Sequence, residues 1–276
     1  MSSSKPIGIF DSGIGGLTVL REVIKQLPYE DLIYFGDTER APYGEKSKEE
    51  IVKINFDIIN FLIKQNVKMI IIGCNTSSAL ALEANREMFP MLPIVDLIQP
   101  GAREAVRKCH NHKIGVIATT ATVNSSAYRN KILNIDSEKE VVEIACPKFV
   151  PLIENGIIEG PMVEIAVNEY LWPMQHFGID TLIFGCTHYP FLIKPIKQLL
   201  GEDKNYIDPA VSTVFEAKAV LNKNNLTNNK DKKGEAIYYT SGSSEKFEKL
   251  SGLFLGKKIE KIQKHSLKPI REIISQ

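Results

Sequence analysis

Short apolar runs alternate with longer amphipathic segments along most of the chain, and this alternation predicts strands separated by helices. Apolar runs that predict strands occur at residues 7–10, 32–36, 69–73 and 94–97 in the first half, and at 114–118, 141–145, 181–185 and 206–208 in the second half. Segments with helical periodicity lie between these runs, among them residues 48–65, 78–89 and 101–108. This order predicts right-handed βαβ units, and therefore mostly parallel sheets with helices on both faces.

Two of the predicted strands end in nearly the same short motif. One apolar run leads into Gly-Cys-Asn-Thr at 73–76, and its counterpart leads into Gly-Cys-Thr-His at 185–188. The two cysteines are 112 residues apart (186 − 74), and a similar offset of 107 residues (114 − 7) relates the strand beginning at Ile7 to the one beginning at Ile114. Similar offsets at two places favour a duplicated unit over the chance recurrence of one tetrapeptide.

We therefore predict an α/β fold with two similar lobes, each a mostly parallel sheet flanked by helices, and an active site between them. In open sheets of this kind, ligands bind at the carboxyl ends of the strands. The polar stretch 222–234 predicts an exposed loop, after which a strand and a helix follow within 237–255. This last segment has no counterpart in the second lobe and is too short to form a core alone, so we expect it to return to the first lobe. The predicted lobes are residues 1–97 plus 209–276, and residues 98–208.

The composition narrows the classes of protein to which the chain can belong. Its 276 residues are 43% hydrophobic, and its net charge of +1 provides no general positive field for nucleic acid. The longest apolar region, 51–72, is interrupted by Lys53, Lys64, Gln65 and Lys68, and is too polar to span a bilayer. Because the N-terminus has no signal-peptide pattern, we expect the four cysteines to be reduced thiols in the cytoplasm. We expect neither a nucleic-acid nor a membrane partner.

Cys74 and Cys186 are each followed by residues that begin a predicted helix. A helix that starts directly after a cysteine lowers the thiol pKa, and its free N–H groups can hold a carboxylate. Residues 75–77 are suitable caps for the first helix, and Thr187 is suitable for the second, with Pro190 in its first turn. One Gly-Cys strand end usually holds an inert buried thiol. Two in matched positions favour a reaction that needs one acid–base group on each face of a substrate, which is the chemistry of a racemase.

Three other motifs allow both a functional and a structural interpretation. His188 either sets the protonation state of the thiol two residues before it, or is a surface or capping residue. The glycine-rich turn at 11–16 lets a ligand approach the backbone, although it is not a nucleotide fingerprint, and Asp11 is equally well explained as an N-cap. Asp37 and residues 42–44 form a turn that is either a simple loop or part of the site.

The other two cysteines are interpreted as structural. Cys109, His110 and His112 lie in the sequence Lys-Cys-His-Asn-His, but these ligands are too few and too crowded for a structural zinc site. A polar turn after a helix explains them better. Cys146 precedes a proline at a strand end and has no partner motif. We therefore predict no metal site in the chain.

Six stretches taken together resemble the glutamate racemase family, within the aspartate/glutamate racemase superfamily. They follow the order of the family across nearly the whole chain, at residues 10–17, 36–37 with 42–44, 74–76, 99–103, 149–154 and 185–190. The resemblance implies an isomerase that interconverts L- and D-glutamate with two bases and no cofactor, and whose D-glutamate enters peptidoglycan synthesis. It also implies a homodimer, which agrees with the general frequency of twofold symmetry.

The resemblance further assigns roles to individual side chains. Cys74 takes the α-proton from D-glutamate, and Cys186 takes it from L-glutamate. Asp11 supports the first thiol, whereas His188 and Glu154 support the second. The substrate-binding residues implied in this way are Asp11, Ser12, Pro42, Tyr43, Gly44, Asn75, Thr76, Thr119, Thr120, Thr122, Thr187 and His188.

Three alternatives remain open at this point. One is a racemase of the same superfamily that acts on aspartate or a hydantoin, since substrate length depends on the pocket around Tyr43 and Thr187. Another is a binding protein that has kept the fold and lost catalysis, although binding alone needs no thiols. The third is a metal or redox protein that uses the two thiols and His188. The chain departs from the family's usual Ala-Cys-Asn-Thr-Ala at Gly73 and Ser77, where both changes are between small residues.

Overall fold

In the computed structural model, which describes residues 2–267, the chain forms two separate sheets whose strands are all parallel. The larger sheet contains, in spatial order, β10 (Ile262–Lys264), β9 (Ala236–Thr240), β2 (Leu32–Gly36), β1 (Ile7–Asp11), β3 (Met69–Ile72) and β4 (Ile94–Val95). The smaller sheet contains β6 (Glu140–Ala145), β5 (Lys113–Ala118), β7 (Thr181–Gly185) and β8 (Asn205–Ile207). The predicted α/β class with two mostly parallel sheets is confirmed.

Helices connect the strands and cover the sheets. They are α1 (Leu17–Gln26), α2 (Lys48–Lys64), α3 (Asn75–Met88), α4 (Ile98–Lys108), α5 (Thr120–Asn124), α6 (Ala127–Ile135), α7 (Phe149–Glu154), α8 (Pro161–Phe177), α9 (Ile193–Leu200), α10 (Pro209–Lys223) and α11 (Ser244–Leu255). A four-residue 3₁₀ helix, Tyr189–Leu192, precedes α9. Among residues 2–267, no helix is both long enough and apolar enough to cross a bilayer.

The two sheets share one internal strand order. The first four strands of the chain lie as β2-β1-β3-β4, and the next four lie as β6-β5-β7-β8. In the larger sheet the order of strand addition reverses between β1 and β3, and in the smaller sheet it reverses between β5 and β7. Ligands bind at such a topological switch point, beyond the carboxyl ends of the strands. Cys74 follows β3 and Cys186 follows β7, so the repeated motif places the two thiols at equivalent positions.

The C-terminal segment extends the larger sheet. β9 pairs with β2 over Ala236 to Thr240, and β10 pairs with β9, both in parallel. The predicted division into residues 1–97 plus 209–276 and residues 98–208 stays a prediction, and its last nine residues lie outside the described residues.

Two helices begin earlier than their periodicity predicts. α4 begins at Ile98 instead of residue 101, because the Asp96 carboxylate accepts hydrogen bonds from the N–H groups of Ile98 (2.8 Å) and Gln99 (3.1 Å) and so starts the helix. The proline and glycine that follow are compatible with a first turn, although they resemble a break in sequence. α3 likewise begins at Asn75 instead of residue 78.

Candidate active site

A cavity of about 460 Å³ lies at the carboxyl ends of both sheets and is lined by loops from each of them. The predicted site residues that line it are Asp11, Ser12, Pro42, Tyr43, Gly44, Cys74, Asn75, Thr76, Thr119, Thr120, Glu154, Cys186, Thr187 and His188. Thr122, also predicted, does not line the cavity and is fully buried behind it. Side chains from distant parts of the sequence thus surround one space that contains both thiols.

Cys74 is held in a strongly desolvated position at the start of α3. Burial, together with the nearby Asp11 carboxylate, raises the pKa of Cys74 to about 12, although hydrogen bonding to Ser77 and Ser12 opposes that rise. The sequence predicted a lowered thiol pKa at this helix N-terminus, and for Cys74 that prediction is wrong. The N–H group of Ser77 does favour the thiolate, but removal of the sulfur from water outweighs it.

The capping predictions for the two helices are also wrong. Residues 75–77 lie inside the first turn of α3, and Cys74 occupies the N-cap position without a side-chain hydrogen bond. The side-chain amide oxygen of Asn75, Oδ1, instead accepts from Tyr128 Oη at 2.6 Å, which fixes the side chain against the smaller sheet's side of the cavity. Thr187 caps no helix, because the chain after Cys186 forms the 3₁₀ helix and lacks a side-chain cap.

His188 connects Cys186 to Glu154. Its Nδ1 lies 3.8 Å from Cys186 Sγ, and its Nε2 lies 3.4 Å from Glu154 Oε1, which is an ion-pair distance without hydrogen-bond alignment. Burial of the ring disfavours its charge, but the contacts with Cys186 and Glu154 outweigh burial and raise the pKa of His188 to about 10. The same contact with His188 lowers the pKa of Glu154. Both contacts therefore favour the protonated form of the ring, an imidazolium.

Asp11 is a buried carboxylate at the end of β1 and not a helix cap. Its Oδ2 accepts from the Gly13 N–H at 3.0 Å, whereas α1 begins only at Leu17. Burial raises the pKa of Asp11, and the charge of His188 and nearby backbone N–H groups oppose that rise. Asp11 thus interacts electrostatically with both thiol loops, because it acts on Cys74 directly and on Cys186 through the histidine.

Three threonine hydroxyls join the two sides of the cavity. Thr76 Oγ1 and Thr119 Oγ1 are 2.9 Å apart, Thr119 Oγ1 and Thr122 Oγ1 are 2.9 Å apart, and Thr122 Oγ1 donates to Thr76 Oγ1 at 3.3 Å. Thr122 therefore orients the other two hydroxyls from behind. Because a hydroxyl can donate and accept, this triangle can turn its free hydrogen or lone pair toward a bound carboxylate.

The loop at 42–44 is tied down by a buried network. Tyr43 Oη donates to Asp37, which also accepts from Arg40 Nε at 2.7 Å and from Ser241 Oγ at 2.8 Å. The Gly44 carbonyl accepts from the N–H of Ala121 at 2.8 Å, so the loop also contacts the smaller sheet's side. The turn at Asp37 is thus part of the site's support and not a simple loop.

The glycine-rich turn accommodates the opposite loop as well as the cavity. Gly13 lines the cavity, but the Cα of Gly15 faces Thr187 and the ring of His188, and a Cβ at that position would overlap them. The turn therefore allows the Thr187–His188 loop, as well as a ligand, to approach its backbone closely.

Lys246 of α11 also lines the cavity and was not found from the sequence, because its local sequence carries no signal.

Among residues 2–267, no group of three or more His, Cys, Asp or Glu side chains is arranged to hold a metal ion. Cys109 is buried and interacts with Asp180, and burial raises its pKa to about 11. Cys146 is fully buried, and burial raises its pKa as well.

Comparison with known proteins agrees with the resemblance. Residues 7–217 match the family described as Asp/Glu/Hydantoin racemase. A glutamate racemase of Thermoanaerobacter pseudethanolicus is 43% identical over 259 residues, which span 94% of this chain and 96% of that protein. The chain belongs to the glutamate racemase family.

Other members of the glutamate racemase family match over a similar extent. The glutamate racemase of Trichodesmium erythraeum is 48% identical over 254 residues, which span 92% of this chain and 93% of that protein. The crystal structure of a glutamate racemase from Francisella tularensis, in complex with D-glutamate, superposes with a TM-score of 0.91 at 38% identity and covers 96% of this chain and 98% of that one. The chain is therefore an isomerase of this family in both sequence and fold.

Proposed function

We propose that this chain interconverts L- and D-glutamate by a two-base mechanism that uses Cys74 and Cys186 and needs no cofactor. The observation that carries the proposal is the pair of buried thiols, from equivalent strand ends of two sheets with the same strand order, in one cavity. Racemisation needs one group to remove the α-proton and another to return a proton on the opposite face. A binding protein has no need for this pair.

The reaction with L-glutamate begins at Cys186. Its thiolate removes the α-proton, the electron pair stays on the α-carbon and its carboxylate, and the Cys74 thiol delivers a proton to the opposite face, which leaves D-glutamate and a Cys74 thiolate. The reverse reaction exchanges the two roles. The ring of His188 lies 3.8 Å from Cys186 Sγ, and in its protonated form it can stabilise the negative charge on that sulfur during the reaction, whereas the raised pKa of Cys74 favours the thiol form of that residue.

The lining of the cavity suits a small dicarboxylate. Its lining includes Ser12, Gly44, Thr76, Thr119 and Thr187, and hydroxyl and backbone N–H groups pair well with carboxylate oxygens. Preorganised donors in a water-poor cavity stabilise the developing carbanion and its carboxylate more strongly than water does. A relative crystallised with D-glutamate supports glutamate as the substrate.

The wider setting of this activity follows from the same family. We infer that the enzyme acts in the cytoplasm as a homodimer and supplies D-glutamate for peptidoglycan synthesis. We also infer that residues 1–97 plus 209–276 move as one lobe relative to residues 98–208, which opens the cavity for substrate and then excludes water. Asp11 acts with Cys74, and His188 with Glu154 acts with Cys186.

The first prediction tests substrate and cofactor together. Purified protein should racemise L- or D-glutamate, followed by circular dichroism at a fixed wavelength, without pyridoxal phosphate, nucleotide or added metal. A chelator should not inhibit, since the proton transfers proposed here need only the thiols. Aspartate should be a poor substrate, because it is one methylene shorter. Strict dependence on a cofactor or metal would contradict the mechanism, and equal turnover of aspartate would move the assignment to another racemase of the superfamily.

A further inference from the structure

Helix α11 brings two side chains to the second base from a distant part of the chain. The helix follows β9, a strand of the larger sheet, whereas His188 and Glu154 follow strands of the smaller sheet. Lys246 Nζ lies 3.6 Å from Glu154 Oε2. The ring of Phe254 meets the ring of His188 edge-on, with centroids 5.1 Å apart and an interplanar angle of 75°. One helix therefore contacts both partners that support the Cys186 thiol.

The contacts form a continuous series from the thiol to the mouth of the cavity. Cys186 Sγ is 3.8 Å from His188 Nδ1, and His188 Nε2 is 3.4 Å from Glu154 Oε1. The other oxygen of the same carboxylate faces Lys246. The side chain of His188 is 6% exposed, that of Glu154 is 29% exposed and that of Lys246 is 67% exposed, so the series ends at solvent with a positive charge.

We propose that Lys246 is a positioning residue, which holds the Glu154 carboxylate charged and directed at His188 and thereby supports Cys186 as the base for L-glutamate. This inference rests on the proposed roles of Cys186 and His188. Without the lysine, one carboxylate oxygen has only water as its partner, and Glu154 is free to turn away from the histidine. Its protonation, which removes the counter-charge of the imidazolium, then occurs at a higher pH, because the lysine charge lowers the pKa of Glu154.

The cavity position of Lys246 permits a competing role that the experiment must separate. A lysine at the mouth can also attract the dicarboxylate substrate directly. Loss of that attraction raises KM and leaves kcat unchanged, because it weakens binding of the ground state and transition state equally. Loss of positioning lowers kcat instead.

The two enantiomers have equal free energy, so kcat/KM is equal for L- and D-glutamate in every variant. The proton transfer that a variant slows must therefore be identified from isotope effects.

The experiment compares Lys246→Met with Lys249→Met, a matched change at an exposed lysine of the same helix. Lys246→Arg restores the charge at the original position. Wild-type protein and Cys186→Ala are assayed in parallel, so that absence of racemisation in the wild type, or normal activity in Cys186→Ala, refutes the proposed function separately from the role of Lys246. The measurements are kcat and KM as functions of pH, and the primary isotope effects with α-deuterated L- and D-glutamate.

We expect Lys246→Met to lower kcat for L-glutamate about two- to fivefold near neutral pH, which is the range for a partly exposed ion pair. The acid limb of the pH profile of kcat should move to higher pH in this variant. The isotope effect should rise with α-deuterated L-glutamate and fall with D-glutamate, because only the transfer at Cys186 becomes slower. Lys249→Met should match the wild type, and Lys246→Arg should recover most of kcat.

Three results would overturn the inference. A raised KM with unchanged kcat would show that Lys246 attracts substrate instead of positioning Glu154. An equal decrease of kcat for L- and D-glutamate, with both isotope effects unchanged, would show a general structural effect. An unaltered pH profile in Lys246→Met would show that the lysine does not act on the carboxylate.

Discussion

Cys74→Ala should lose racemisation in both directions, by a factor of about 10³, and Cys186→Ala should do the same. The reason is geometric: one thiol removes a proton from one face of the α-carbon, and the other must deliver a proton to the opposite face. Neither thiol can perform both tasks. The rate is measured by circular dichroism from each enantiomer in turn.

Each alanine variant keeps one complete base, and this distinguishes a two-base mechanism from general damage. In deuterated water, Cys74→Ala should still exchange the α-proton of L-glutamate slowly through Cys186, with retention of configuration. Cys186→Ala should exchange only that of D-glutamate, through Cys74. Exchange will be slower than in the wild type, because the missing thiol also contributes to the charge balance of the cavity. Proton NMR of the α-position follows both reactions.

The other two cysteines provide the controls. Cys109 and Cys146 are buried but do not line the cavity, so Cys109→Ala and Cys146→Ala should leave turnover largely intact. Racemisation near the wild-type rate in either active-site variant would show that the replaced cysteine is structural. The central proposal would then be wrong.

The sequence predicted those parts of the fold and site that depend on local pattern. Buried parallel strands are short apolar runs, and the position of a residue just after such a run places it at the carboxyl edge of a sheet. For this reason Cys74 and Cys186 were found directly, and the repeated motif predicted two similar lobes, whose strands share one spatial order. Most of the remaining predicted site residues came from the family resemblance, and the cavity contains all of them except Thr122.

What the sequence did not predict depends on contacts between distant residues. Asp37 holds Tyr43 through a network that includes Ser241, 204 positions away. Lys246 reaches Glu154 from a helix of the other sheet. The predicted direction of the Cys74 pKa shift was wrong for a related reason. The helix N-terminus is visible in the sequence, but the burial that outweighs it results from the apolar cluster around the larger sheet, to which Cys74 belongs.

Lys68, which directly precedes β3, is a second example of a contact that the sequence did not predict. From the sequence it counts as a polar interruption of an apolar region, similar to Lys53 and Lys64. In the structure it is fully buried, and its Nζ donates to the Glu30 carboxylate and to the carbonyl oxygen of Ser3. Charge pattern alone cannot distinguish a solvated lysine from a buried one, because the partner lies 38 positions away in sequence.

Lys68→Met should lower the free energy of unfolding by about 3–5 kcal/mol, because it leaves the charge of Glu30 buried without a counter-charge. The measurement is equilibrium denaturation in urea. The double variant Lys68→Met/Glu30→Gln should be less destabilised than the single variant, since the glutamine is neutral and keeps an oxygen that can accept from the N–H of Asn228, which Glu30 now binds at 2.8 Å. Lys64→Met, at an exposed position, should change stability by less than about 0.5 kcal/mol. A loss below about 1 kcal/mol in Lys68→Met would mean that water or a rearranged side chain solvates Glu30, and that the pair is not essential to the packing of β3.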